Sequence, residues 1–127
     1  MEKPQKKYRV AIVGSREYTD RIAVFQWLDK NKDKIEMIVS GGCKQGPDEF
    51  AREFCEKKGI SLITHYARWR REDGSTDKGA GFRRNELVAK DCDILVAWRV
   101  NMSKGTTDVI ERAKRLGKKV HVYDFVK

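Results

Sequence analysis

Short apolar runs and stretches of helical period alternate along the whole chain. Residues 8–13 (Tyr-Arg-Val-Ala-Ile-Val) form an apolar run that breaks at Gly14, which predicts a first strand. Asp20 then caps a helix whose apolar positions Ile22, Phe25, Trp27 and Leu28 are expected to face inward, with 31–34 as its frayed end. A second β-branched run, Ile38 and Val39, stops at Ser40. It is followed by Gly-Gly-Cys-Lys-Gln and then by Gly46-Pro47-Asp48, which opens another helix. Phe50, Ala51, Phe54 and Cys55 line one face of that helix, and Gly59 closes it as a left-handed cap. Residues 60–65 read as a third strand, and the polar, glycine-containing stretch 67–79 as a long loop. A helix over 82–90, a strand over 93–98, a loop over 99–104 and a helix over 105–116 closed by Gly117 come next. The last strand is 119–123.

Strands that alternate with helices, each strand a short apolar run, imply a parallel sheet with helices on both faces. The predicted class is therefore α/β, a three-layer sandwich, with residues 1–127 forming one domain. Right-handed crossovers leave two strand orders, 3-2-1-4-5 or 2-1-3-4-5. In either, ligands bind beyond the carboxyl ends of the strands, where the strand order reverses.

That rule selects particular loops. The first strand exits into Gly14-Ser15-Arg16 and the second into Ser40-Gly41-Gly42, continuing to Gly46. The fourth exits toward Lys104-Gly105-Thr106-Thr107. All three are rich in glycine and hydroxyl groups, and each carries a cation. Gathered on one rim, they would offer backbone N–H groups, hydroxyls and a forked guanidinium to a phosphate.

Composition narrows the function classes. The formal charge of +9 favours anionic partners. It concentrates at Lys3, Lys6, Lys7 and Arg9, at Arg68, Arg70, Arg71, Lys78, Arg83 and Arg84, and in the last helix and its exit. No apolar run is long enough to span a bilayer, and the charged N-terminus does not read as a signal peptide. Cys43, Cys55 and Cys92 form no C-x-x-C pair, and His65 and His121 lie in apolar runs. This points to a reducing, cytoplasmic compartment and to neither a metal site nor a cofactor. Trp27 is expected in the core and Trp98 half in the core and half in a pocket wall. Trp69 would either plug the long loop or, with Arg68, Arg70 and Arg71, stack and clamp bases.

Four motifs in order carry a family resemblance. They are Val-Gly-Ser-Arg-Glu-Tyr after strand one, Ser-Gly-Gly-x-x-Gly-Pro-Asp-x-x-Ala after strand two, Ala80-Gly81-x-x-Arg84-Asn85 and Lys-Gly-Thr. Together they resemble the SLOG superfamily, which joins the DNA-processing protein A family to the Lonely Guy phosphoribohydrolases, and within it the YspA-type, cpYpsA-related branch. The resemblance covers about 8–123. It implies a Rossmann-like sheet of order 3-2-1-4-5 and a site for a nucleotide or nucleotide-derived ligand on the rim already described. It also places Arg84 in register with the family's site arginine.

The Lonely Guy signature P-G-G-x-G-T-x-x-E is broken here. Asn101-Met102-Ser103 stands for Pro-Gly-Gly, and Val109 stands for the Glu that assists N-glycosidic cleavage. Asp108 comes one residue early, roughly 100° around the helix. No catalytic residue is assigned. The expected site is Gly14, Ser15, Arg16, Ser40, Gly41, Gly42, Gly46, Asp48, Arg84, Asn85, Lys104, Gly105, Thr106 and Thr107. It would belong to a sensor or sequestering module for a nucleotide-like small molecule. A nucleotide N-glycosidase and a single-stranded nucleic-acid binder are the alternatives. Weak nucleic-acid binding and self-association into a homo-oligomer stay open.

Overall fold

The computed structural model describes residues 6–127, so Lys3 of the basic N-terminal arm lies outside the described residues. Five parallel strands, β1 Tyr8–Gly14, β2 Ile35–Ser40, β3 Leu62–Thr64, β4 Ile94–Val100 and β5 Lys119–Phe125, form one sheet of order β3-β2-β1-β4-β5. The fold is Rossmann-like α/β, and of the two orders left open it takes the one with its reversal between β1 and β4.

Alternation along β1 splits the core in two, because successive side chains leave a strand on opposite faces. Val10 and Ile12 face α1 (Arg21–Asn31) and α2 (Pro47–Lys58), where they meet Val24, Leu28, Ala51 and Phe54. Ala11 and Val13 face α3 (Ala80–Asp91) and α4 (Lys104–Arg115), where they meet Val88, Ala89, Val109 and Ile110. Burying side chains of this size contributes about 1.5–3 kcal/mol each for the larger ones. No helix among the described residues is long and apolar enough to cross a membrane.

Helix α1 corrects the sequence expectation. Its buried positions are Val24 and Leu28, one helical turn apart, while Ile22 is 68% exposed and Trp27 only half-buried. The helix is short and carries apolar residues on several sides, so periodicity found Leu28 and the half-buried Phe25 and Trp27 but took Ile22 in place of Val24. Asp20 does cap it, accepting a hydrogen bond from the Ala23 N–H at 3.1 Å. Trp98 is 3% exposed and stacks between Tyr18 and Tyr123, with Trp27 edge-on, so it belongs to the core and not to a pocket wall. The stretch 67–79 holds itself together: Arg70 and Thr76 form an antiparallel bridge, and the Asp77 N–H donates to Trp69 O at 2.5 Å.

The strand exits come close because glycine stands where they touch. A β-carbon on Gly14 would overlap Pro47 Cγ and approach Trp98 O to 2.6 Å; one on Gly46 would sit 2.6 Å from Ser15 O. Gly46 also has φ 77 and ψ −156, a conformation open essentially to glycine alone. Gly46→Ala is expected to lower the unfolding free energy by about 2–4 kcal/mol. Chemical denaturation checks this; a loss below 1 kcal/mol would mean that the two loops separate freely.

A candidate ligand cleft at the strand-order reversal

The exits of β1, β2 and β4 converge around a cleft of about 390 Å³ at the carboxyl edge of the sheet. That volume lies within the range of small-molecule sites. Val13, Val88 and Val109 make its apolar floor, and Trp69 forms one wall. The indole rests on Gly81, where a β-carbon would come within 2.9 Å of it, so the long loop neither flops nor buries its tryptophan; Trp69 is 48% exposed.

Ser15 ties the exits together. Its N–H donates to Trp98 O at 2.9 Å, its Oγ accepts from the Val100 N–H at 2.8 Å, and its hydroxyl bonds that of Ser103. Ser103 makes no side-chain cap bond to α4. The first amides of α4, at Lys104, Gly105 and Thr106, have no intrahelical acceptor, and this end of the helix carries partial positive charge. Gly105 and Thr106 line the cleft, and the Thr106 hydroxyl has no hydrogen-bond partner among the described residues. Arg16 reaches the same space from β1, exposed and without an acidic partner among the described residues. The preceding loop is strained: Asn101 and Met102 have φ 49 and φ 53, left-handed conformations that cost side-chain-bearing residues roughly 1–3 kcal/mol. Asn101 is held there by its N–H to Phe125 O at 2.9 Å.

Asp48 occupies the opposite corner. It does not cap α2, whose N-cap position is Gly46. Instead its Oδ2 accepts from the N–H of Gly41 at 3.1 Å, from that of Cys43 at 3.5 Å and from Ser40 Oγ at 3.4 Å. Loop amides expected to face a ligand are thus taken by a carboxylate of the protein. Burial outweighs those bonds and the nearby Arg84 charge, pushing the Asp48 carboxyl up to about 6. Arg84 donates to Gly41 O at 2.5 Å and to Asn85 Oδ1 at 3.0 Å, while Asn85 Nδ2 donates to Gly105 O at 3.2 Å and Asp108 Oδ2 at 3.0 Å. Asp108 is further held by Arg112 at 2.8 Å and does not border the cleft, whereas Val109 does.

Of the residues expected at the site, Gly14, Ser15, Arg16, Gly41, Asp48, Arg84, Asn85, Gly105 and Thr106 border the cleft. Five do not. Ser40 and Gly42 face a smaller hollow beside Thr64 and Tyr66, and Gly46 is packed on Ser15. Lys104 points to solvent, and the Thr107 hydroxyl is taken by Arg99 Nη1 at 3.2 Å and Met102 O at 3.3 Å. Cys43 and Ser103 belong to the exit loops though not to the expected site, and Val13, Glu17 and Val88 were not anticipated. Val88 was legible, because it follows Arg84 by one helical turn on the same face. The buried thiols of Cys55 and Cys92 are pushed up to about 11, which keeps them protonated and unreactive.

Asp48 sets a pH dependence of stability. Its carboxyl is raised above the unfolded value, so its contribution to stability is greatest below pH 4 and is lost as pH rises through about 6. Asp48→Asn removes this dependence. The stability of the variant relative to the parent should therefore increase by about 2–3 kcal/mol between pH 4 and pH 7.5. Paired denaturation curves at the two pH values check it, and a constant difference would contradict the buried charge.

No curated protein matches the chain. DNA processing protein A from Streptococcus pneumoniae superposes with a TM-score of 0.75 at 20% identity, over 91% of this chain and 50% of that one. DNA processing protein A from Helicobacter pylori, described for its single-stranded DNA binding mode, superposes with a TM-score of 0.67 at 21% identity, over 94% of this chain and 65% of that one. The chain thus spans half to about two thirds of the length of these proteins, and at such identities the likeness shows the fold. Family membership rests on the sequence match over residues 8–71, which holds the first two strand exits and Asp48. By that match the chain belongs to the YspA, cpYpsA-related SLOG family.

Proposed function

We propose that this protein binds a nucleotide or nucleotide-derived small molecule in the cleft, as a cytoplasmic sensor or sequestering module. The observation that carries the reading is the α4 end of the cleft. Free amides, the Thr106 hydroxyl and the Arg16 guanidinium, the last two without a partner among the described residues, converge there, which is how a phosphate is held. The apolar floor and Trp69 suit the flat, partly apolar body of a nucleoside. Binding without bond cleavage follows from Val109, which lines the cleft where the Lonely Guy signature has its Glu.

A second reading, single-stranded nucleic-acid binding, is favoured by the Helicobacter pylori neighbour and by exposed Arg68, Arg70 and Arg71 around Trp69. It takes second place because the phosphate-binding features lie inside one cleft, while most other cations are spread over helix surfaces.

Calorimetric titration with nucleoside monophosphates and ADP-ribose-like compounds tests the first reading. Arg16→Ala should weaken the best ligand roughly tenfold or more, and Thr106→Val several-fold, with folding intact. Unchanged affinity in both variants would remove the α4 end from the site. Fluorescence anisotropy with a labelled oligonucleotide tests the second. Binding should be weak and salt-labile, falling with a logarithmic slope of about −0.7 per phosphate contacted. Tight binding that survives physiological salt and drops in Trp69→Ala would promote the strand-binding reading.

A further inference from the structure

Besides the Thr106 hydroxyl at the α4 end, one other side-chain atom of a buried cleft residue has no hydrogen-bond partner among the described residues, and it belongs to Asp48. Asp48 is 5% exposed, and its three hydrogen bonds all end on Oδ2. Oδ1 accepts none. It is not sealed in the interior either, since the only sealed and unpartnered side-chain atom among the described residues is Arg9 Nε. Oδ1 therefore keeps some accessible surface, and Asp48 borders both the cleft and the smaller hollow beside Thr64 and Tyr66. Arg84 does not close on it, because its guanidinium bonds Gly41 O and Asn85 Oδ1 and forms no ion pair with Asp48.

A buried carboxylate oxygen held in this way demands a hydrogen-bond donor from whatever fills the cleft. A phosphate cannot supply one and would be repelled. Of the other side-chain acceptors on the walls, the Thr106 hydroxyl lies at the α4 end, where the phosphate would take it as a donor, and the rest are engaged or in water. Both amide atoms of Asn85 are engaged, the hydroxyls of Ser15 and Ser103 bond each other, and Glu17 is exposed at the lip, in water. The Asp48 corner adjoins the exit of β2, and the phosphate-binding end of α4 follows β4. With β1 between them, the two lie about two strand spacings apart, roughly 10 Å. A sugar carrying a 5′-phosphate bridges such a gap.

We propose that Asp48 reads the sugar: its Oδ1 accepts a hydrogen bond from a ribose hydroxyl, so the cleft takes ribonucleotides in preference to their deoxy counterparts. The proposal rests on nucleotide binding in this cleft and adds the choice of sugar and the orientation. The phosphate lies on α4, and the hydroxyl edge lies toward the first turn of α2. The three donors on Oδ2 fix the carboxylate in place, so Oδ1 is presented at a set angle and recognition costs little reorganisation.

Titration calorimetry with the four ribonucleoside 5′-monophosphates and their 2′-deoxy and 3′-deoxy counterparts tests it on the unaltered protein. Removing the hydroxyl that Asp48 reads should weaken binding about tenfold or more, the size of a charge-assisted hydrogen bond. Asp48→Asn turns an amide toward the ligand and should compress that ratio to about threefold or less. The separate loss caused by Arg16→Ala should persist in the variant. Equal affinity for ribo and deoxy ligands in the unaltered protein, or a ratio unchanged in Asp48→Asn, overturns the proposal while leaving nucleotide binding standing. Absence of binding by all of the monophosphates removes both.

Discussion

Everything at the carboxyl edge of this sheet depends on how closely the exit of β1 approaches its neighbours. Ser15 is the point of contact on both sides. Its amide and hydroxyl hold the end of β4, and its carbonyl lies so near Gly46 that no side chain fits between them. Parallel strands diverge into separate loops by default, because each exit is followed by a crossover helix on one face or the other. Here the exits are tied, and the cleft is the space enclosed by the tie. The expectation that Ser15 would be a free ligand donor therefore changes: the residue borders the cleft, but its polar atoms shape the loops around it.

Two opposite electrostatic corners result. At α4 the helix dipole, free amides and Arg16 produce a field that favours negative charge. At α2 a carboxylate is buried away from water, and that desolvation pushes its pKa up to about 6. Burying an ionised group lowers stability at neutral pH, and the strained Asn101–Met102 turn lowers it further. Both costs fall on residues beside the cleft. Local sacrifice of stability beside a cavity is characteristic of sites shaped for a ligand rather than for packing.

Much of this was legible in the sequence. The alternation of strands and helices gave the class, and the strand-exit rule led to Gly41, Arg16 and the Gly105-Thr106 pair. The family resemblance supplied the strand order, which periodicity had left between two choices, and the structure has that order. What escaped reading has physical causes. Ile22 and Val24 differ little in hydrophobicity, and only the docking of α1 on α2 decides which is buried. Trp98 is expected to end its strand beside the exit loops, yet β4 continues to Val100, and Tyr18 and Tyr123 cover the indole from the sides. Asp48 in a first helical turn looks like a capping residue, and nothing local shows that the chain folds back to give it Gly41 and Cys43 instead.

In the proposed complex a small nucleotide sits between the β1 exit and the first turn of α4. Mapping backbone amide shifts by NMR during titration with a ribonucleoside monophosphate tests this most directly, because each cleft wall contributes amides of its own. Saturable shifts are expected at Arg16, Gly41, Gly105 and Thr106, with much smaller changes at Arg70 and Arg71 on the outer loop. Shifts confined to the 67–79 stretch and the basic helix surfaces, with the α4 amides unmoved, would contradict it.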